Sequence, residues 1–165
     1  LLFPGRGPSI RLVTRSAPMP YDYRRDSAVP AFDDATPVVI FDGKCALCSG
    51  FVQFVLRNDR RGRMRFLAAQ TPLGEALYAH LGLRTGNYET YVLLENGCAR
   101  VKSDAALRIF ALLGLPWSVL CAGRIAPRFA RDAFYDWVAR NRLRCFGARA
   151  SCYMPTSAER ERFVA

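Results

Sequence analysis

The stretch Pro37-Val38-Val39-Ile40-Phe41-Asp42-Gly43-Lys44-Cys45-Ala46-Leu47-Cys48 decides the fold. Val38 to Phe41 is a short, continuous, β-branched apolar run bounded by Pro37 and Gly43, the pattern of a strand buried on both faces. Beyond it the period changes. Leu47, Phe51, Phe54 and Val55 recur at helical spacing, so a helix is expected over 45–58. Asp42 to Cys48 then lies at the carboxyl end of a strand, where open α/β sheets hold their ligands.

Working outward, Met64, Phe66 and Ala68 alternate with Arg63, Arg65 and Leu67 and predict a second strand. Pro72 suits the first turn of a helix through Leu73, Leu77 and Leu81, closed by Gly82. Thr90–Glu95, the turn Asn96-Gly97 and Cys98–Val101 read as a β-hairpin. Ser103 is expected to cap a helix through Ala106, Leu107, Phe110 and Leu113, stopped at Gly114-Leu115-Pro116. A last helix over about 128–143 sets Phe129, Ala133, Phe134, Trp137 and Val138 on one face. The first two strands, joined through a helix, should be parallel, and the hairpin adds an antiparallel pair. The expected class is α/β, a mixed four-stranded sheet with flanking helices and extra C-terminal helices.

Composition bounds the rest. The chain has 165 residues, 51% of them hydrophobic and 23% charged, which suits one folded domain and excludes disorder over most of the length. Pro4, Pro8, Pro18, Pro20 and Pro30 interrupt any period in residues 1–36, read as a flexible basic tail; residues 37–155 are the expected domain and 156–165 a C-terminal tail. The longest uncharged apolar stretch, Ile109–Gly123, contains Pro116 and is shorter than the roughly 20 residues of a membrane span, so no transmembrane segment is expected. Without a secretory apolar core, a cytoplasmic location is expected. The formal charge of +10 comes from 24 basic residues, only Lys44 and Lys102 being lysine. The densest basic run, Arg57, Arg60, Arg61, Arg63 and Arg65, lacks interleaved stacking aromatics, so no nucleic-acid partner is expected.

Cys45 and Cys48 carry the chemistry. Residues i and i+3 share a helix face, so their sulfurs can approach each other. Cys45 is expected in the first helical turn as an exposed thiolate, favoured by unpaired amides, the helix dipole and the Lys44 cation. Cys48, further in, is the expected resolving thiol. Asp42 is read either as a carboxylate that relays protons during exchange or as a cap at the helix start, with Gly43 supplying the turn.

The pattern Asp42-x-x-Cys45-x-x-Cys48 after an apolar strand resembles the DCC family of thiol-disulfide oxidoreductases, formerly a domain of unknown function. Ser103-Asp104-Ala105, Tyr135-x-x-Val138-Ala139-Arg140-Asn141-Arg142, Phe146-Gly147 and Cys152 carry the likeness through residues 37–155. It implies a thioredoxin-like fold and dithiol/disulfide exchange, with Ser103 and Asp104 in supporting positions. Asn87-Tyr88-Glu89-Thr90 departs from thioredoxins, which hold a cis-proline before the corresponding strand.

No cofactor is implied. The expected partners are a thiol- or disulfide-containing protein or small molecule and an external thiol reductant. Two alternatives keep the same residues: an adaptor domain that does not turn over, and a structural zinc site. Zinc would need two further ligands from Cys98, Cys121, Cys145, Cys152 and His80, which form no second close pair. Cys145 and Cys152 are near enough in sequence to bridge, although a reducing compartment disfavours it.

Overall fold

The computed structural model describes residues 19–20, 23–86, 88–148 and 150–164. Four strands form the body of the sheet: β2 (Val38–Phe41), β3 (Arg65–Ala68), β4 (Val92–Glu95) and β5 (Cys98–Val101). A two-residue strand, β1 (Met19–Pro20), pairs antiparallel with β5, giving the order β1-β5-β4-β2-β3. As expected, β2 and β3 are parallel and the β4–β5 hairpin is antiparallel; β2 also pairs antiparallel with β4 and is therefore an interior strand. Asn96 and Gly97 turn the hairpin at φ 51° and 71°, the left-handed geometry that a two-residue type I′ turn demands.

Both faces of the sheet are covered, and the period of two sorts the side chains. Val38, Ile40, Leu67, Val92 and Leu94 point to one core, completed by Leu73, Leu77 and Tyr78 of α2 (Pro72–His80). Val39, Phe41, Phe66 and Leu93 point to the other, against Val52 and Val55 of α1 (Ala46–Asn58) and Ala105 and Ile109 of α3 (Lys102–Leu113). A strand covered twice needs every residue apolar, which explains the unbroken Val38–Phe41 run. Cys45 and Cys48 belong to the α1/α3 layer.

A 3-10 segment, Trp117–Ile125, follows α3 and leads to α4 (Arg128–Phe146). No described helix is long and apolar enough to cross a membrane.

Three expectations require correction. Ser103 does not cap α3: the helix starts at Lys102, with Val101 before it, and the Ser103 hydroxyl donates to Asp132 of α4. The aromatic face of α4 is not buried, because Phe129, Phe134 and Trp137 are exposed while Ala139 and Arg142 pack inward. The segments flanking the expected domain also pack. Tyr23 and Val29 are buried in the α2-side core, and Val164 donates its N–H to the Phe66 carbonyl at 2.8 Å. Residues 1–18 of the expected N-terminal tail lie outside the described residues.

Candidate active site

The chain leaves β2 at Phe41 and turns through Asp42-Gly43-Lys44 into α1. The Asp42 carbonyl accepts from the Cys45 N–H at 3.3 Å, closing the turn, while one carboxylate oxygen, Oδ1, accepts from the Lys44 N–H at 3.0 Å. Asp42 therefore organises the helix start locally, as an Asx turn does. The same oxygen accepts from Gln70 Nε2 at 2.6 Å, and Oδ2 accepts from Arg142 Nη2 of α4 at 3.1 Å. Gln70 also accepts, through Oε1, from the Gly43 N–H at 3.0 Å. Side chains from beyond β3 and from α4 thus hold the turn from both sides.

Cys45 is the N-cap of α1, one position before the helical turn in which it was expected. Its sulfur accepts from the Cys48 N–H at 3.3 Å, the bond an N-cap serine oxygen would ordinarily make. This brings the two thiols together. The Cys48 thiol, as donor to Cys45, holds the Cys45 thiol down to about 6. The Cys48 N–H and the Arg142 guanidinium act in the same direction, against the opposing effects of burial and the Asp42 charge. Cys48 is pushed the other way, first by that same bond to Cys45, then by burial and the neighbouring sulfur's charge. A low-pKa thiol beside a high-pKa one can attack a disulfide first and close the exchange second.

The cation assisting Cys45 is Arg142, from a helix almost a hundred residues away, rather than Lys44, which is exposed. Nor is Cys45 exposed: its relative accessibility is 0%, against 5% for Cys48. The chain after α4 accounts for this. Ala148 bridges to Cys45, and the Gly147 carbonyl accepts from the Ala46 N–H at 3.3 Å. A little further on, the Tyr153 N–H donates to the Gly43 carbonyl at 2.8 Å. Gly43 itself admits no side chain, since a Cβ there would stand 2.3 Å from Cys152 Sγ.

Tyr91, immediately before β4, completes the surroundings. Its hydroxyl donates to the Cys48 carbonyl at 3.0 Å, and its N–H donates to the Tyr135 hydroxyl of α4 at 2.9 Å. Burial raises both phenols well above their ordinary range, so they remain protonated. Ser103 and Asp104 join α3 to α4 instead: Asp104 pairs with Arg128 and Arg131, each at 3.2 Å. Their contacts are with α4, not the thiols. Cys121 donates to the Leu107 carbonyl, His80 Nδ1 sits 2.6 Å from Asp26 Oδ2, and Cys145 is exposed. Among the described residues no three His, Cys, Asp or Glu side chains gather in a metal-holding group, and none of the described cysteines is bridged.

Arg142, Gln70 and Tyr91 were missed from sequence. In the sequence Arg142 appears only within the motif that carries the family likeness, with no role at the dithiol. Its spacing from Tyr135, seven residues, was the available signal, because i and i+7 share a face. Gln70 and Tyr91 carry no comparable mark.

A buried thiol capping the helix that follows an interior strand of a two-faced mixed sheet is a thioredoxin-like arrangement. The family profile of DCC1-like thiol-disulfide oxidoreductases matches residues 39–148, so the chain belongs to the DCC family. It is 35% identical over 127 residues to the "Uncharacterized protein YuxK" of Bacillus subtilis, covering 77% of this chain and 93% of that protein. It is 39% identical over 121 residues to a chloroplastic "DCC family protein" of Arabidopsis thaliana, covering 73% and 70% respectively. No solved structure gave a significant match.

Proposed function

We propose that this protein is a thiol-disulfide oxidoreductase in which Cys45 attacks and Cys48 resolves. The observation that carries the reading is the Cys48 N–H and thiol directed onto Cys45 at the opening of α1, with Arg142 behind it. The Cys45 thiolate attacks one sulfur of a substrate disulfide, forming a mixed disulfide and releasing the other sulfur as a thiolate, which takes up a proton. Cys48 then loses its proton and attacks Cys45 Sγ. The Cys45–Cys48 disulfide forms, and the substrate leaves as a dithiol. Two electrons have passed to the substrate, and an external thiol reductant returns them by the same exchange in reverse. The protein partner or small molecule reduced, and the reductant, are defined here only by that chemistry. A reducing, cytoplasmic compartment belongs to this reading, since it keeps thiols available for exchange.

Asp42 serves this reading as a positioning residue: it holds the turn and Arg142 together, and its own charge opposes thiolate formation. Lys44, Gly43, Ser103 and Asp104 support the loop and the α3–α4 junction.

Insulin reduction by dithiothreitol tests the proposal. Acceleration by the wild type that is lost in both Cys45→Ser and Cys48→Ser supports it; equal rates in all three remove it. Cys48→Ser should also accumulate a mixed disulfide with its substrate. One observation favours the adaptor reading, namely the complete burial of Cys45 beside its backbone bridge to Ala148, and an absence of turnover with an intact fold is its signature. Zinc content of protein purified without chelators tests the metal alternative.

A further inference from the structure

A face carrying four exposed large apolar side chains lies apart from the dithiol. Ile125, Phe129, Phe134 and Trp137 are 88%, 78%, 69% and 57% exposed, far more than a folded interior or a buried interface leaves such residues. Phe134 and Trp137 stack on one another with ring centroids 6.4 Å apart. Beside them, α3, the end of the 3-10 segment and α4 enclose a groove of about 530 Å³, lined by Leu107, Ala126, Ala130, Phe134 and Val138 among others.

The acids near this face, Asp104, Asp132 and Asp136, are paired with Arg128, Arg131 and Lys102, so the charge left over is positive. No Asp or Glu occurs between Asp104 and Asp132. Arg124 is exposed next to Ile125, and Arg140 and Arg144 are exposed on α4. Phe129, Ala133, Trp137, Arg140 and Arg144 follow one another at steps of three or four, so they form a single stripe, apolar at one end and cationic at the other. None of these three arginines has an acidic partner among the described residues.

From this we infer that the Ile125–Trp137 face docks on a membrane surface containing anionic lipid. A second copy of the chain is the poorer occupant. A two-fold contact would bring Arg124, Arg140 and Arg144 of one protomer toward the same residues of the other, on a chain already carrying +10. Lipid headgroups supply the missing negative charge, and the acyl boundary receives the aromatic and aliphatic side chains. Arginine stems lie along that boundary with their guanidinium groups at the phosphates. The inference is independent of the redox reading.

Co-sedimentation of the full chain with vesicles tests it, comparing phosphatidylcholine alone with phosphatidylcholine mixed with phosphatidylglycerol. Binding is expected only to the mixed vesicles and should weaken with salt. Phe129→Ser combined with Trp137→Ser should lower vesicle affinity by at least about tenfold, as should Arg124→Glu with Arg140→Glu and Arg144→Glu. These side chains are exposed, and an unchanged circular dichroism spectrum and urea-unfolding midpoint verify the fold. Charge reversal at Arg60, Arg61 and Arg63, a separate exposed basic run, should leave binding within about twofold. The inference is overturned by any of four results: no binding, equal binding to phosphatidylcholine alone, binding abolished only by the Arg60 set, or a micromolar dimer that the Phe129→Ser/Trp137→Ser variant disperses.

Discussion

Asp42 and Arg142, one hundred residues apart, form a buried ion pair at 3.1 Å directly behind the dithiol. Their side chains are 7% and 5% exposed. The pair joins the β2–α1 turn to α4, so one contact couples the position of the C-terminal helix to the charge around Cys45. The two members act on the thiol with opposite sign: Arg142 favours the thiolate and Asp42 opposes it.

Breaking this pair should be costly, because removing one partner leaves the other charged, buried and uncompensated. Arg142→Met should destabilise the domain by about 3–5 kcal/mol, measured by urea unfolding, and Asp42→Asn by a similar amount. The thiol separates them where stability does not. Arg142→Met should raise the Cys45 pKa, while Asp42→Asn should lower it; shifts of the same sign in both variants would contradict the electrostatic assignment.

The reduced dithiol should release one proton near pH 6, the Cys45 value, and no second proton until well into alkaline solution. Thiolate absorbance in the ultraviolet, compared with Cys45→Ser, measures both steps. Cys45 has a folded pKa below its unfolded one, so it contributes stability that is complete above the unfolded value of about 9 and declines as pH falls through about 6. Relative to Cys45→Ser, reduced wild type should therefore gain stability between these limits, by at most about 1.4 kcal/mol per pH unit. A flat difference across that window would show that the thiolate is not favoured by the fold.

Access to Cys45 should depend on local opening of the Gly147–Ala148 segment. Urea below the unfolding transition should accelerate alkylation of Cys45 by iodoacetamide and leave that of the exposed Cys145 nearly unchanged. Mass spectrometry of the two peptides distinguishes the sites. Parallel behaviour of both cysteines would mean that Ala148 does not guard the thiol.

Gly43→Ala should destabilise by about 1–3 kcal/mol, since its Cβ would meet Cys152 Sγ at 2.3 Å. Cys152→Ala removes that sulfur and should recover most of the loss in the double variant. Failure of the rescue would place the strain elsewhere, with Gln70 Oε1 at 3.2 Å the next neighbour.

The last residues should contribute to the fold. Arg162 Nη2 donates to Asp59 Oδ2 at 2.6 Å and to the Met64 carbonyl at 2.7 Å, and the Asp59 side chain is 1% exposed. Arg162→Ala should cost about 2 kcal/mol, read as a lower denaturation midpoint. An unchanged midpoint would make residues 156–165 the dispensable tail that their sequence suggests.

Sequence alone determined the elements whose forces are local. The β-branched run Val38–Phe41, the change of period after it and Asn96-Gly97 between apolar runs each specify backbone geometry within a few residues. The Cys45–Cys48 spacing did the same for the dithiol. Sequence could not rank the surroundings, since Arg142, Gln70 and Tyr91 reach the dithiol through pairings spanning tens of residues. Nor could it show that Cys45 is buried and bridged to Ala148, or that Phe129 and Trp137 face solvent. A helical stripe reports that one side is apolar; only the packed neighbours decide whether that side is covered. Tertiary structure settled those points because charge effects, burial and close approach depend on distance in space, which sequence separation does not encode.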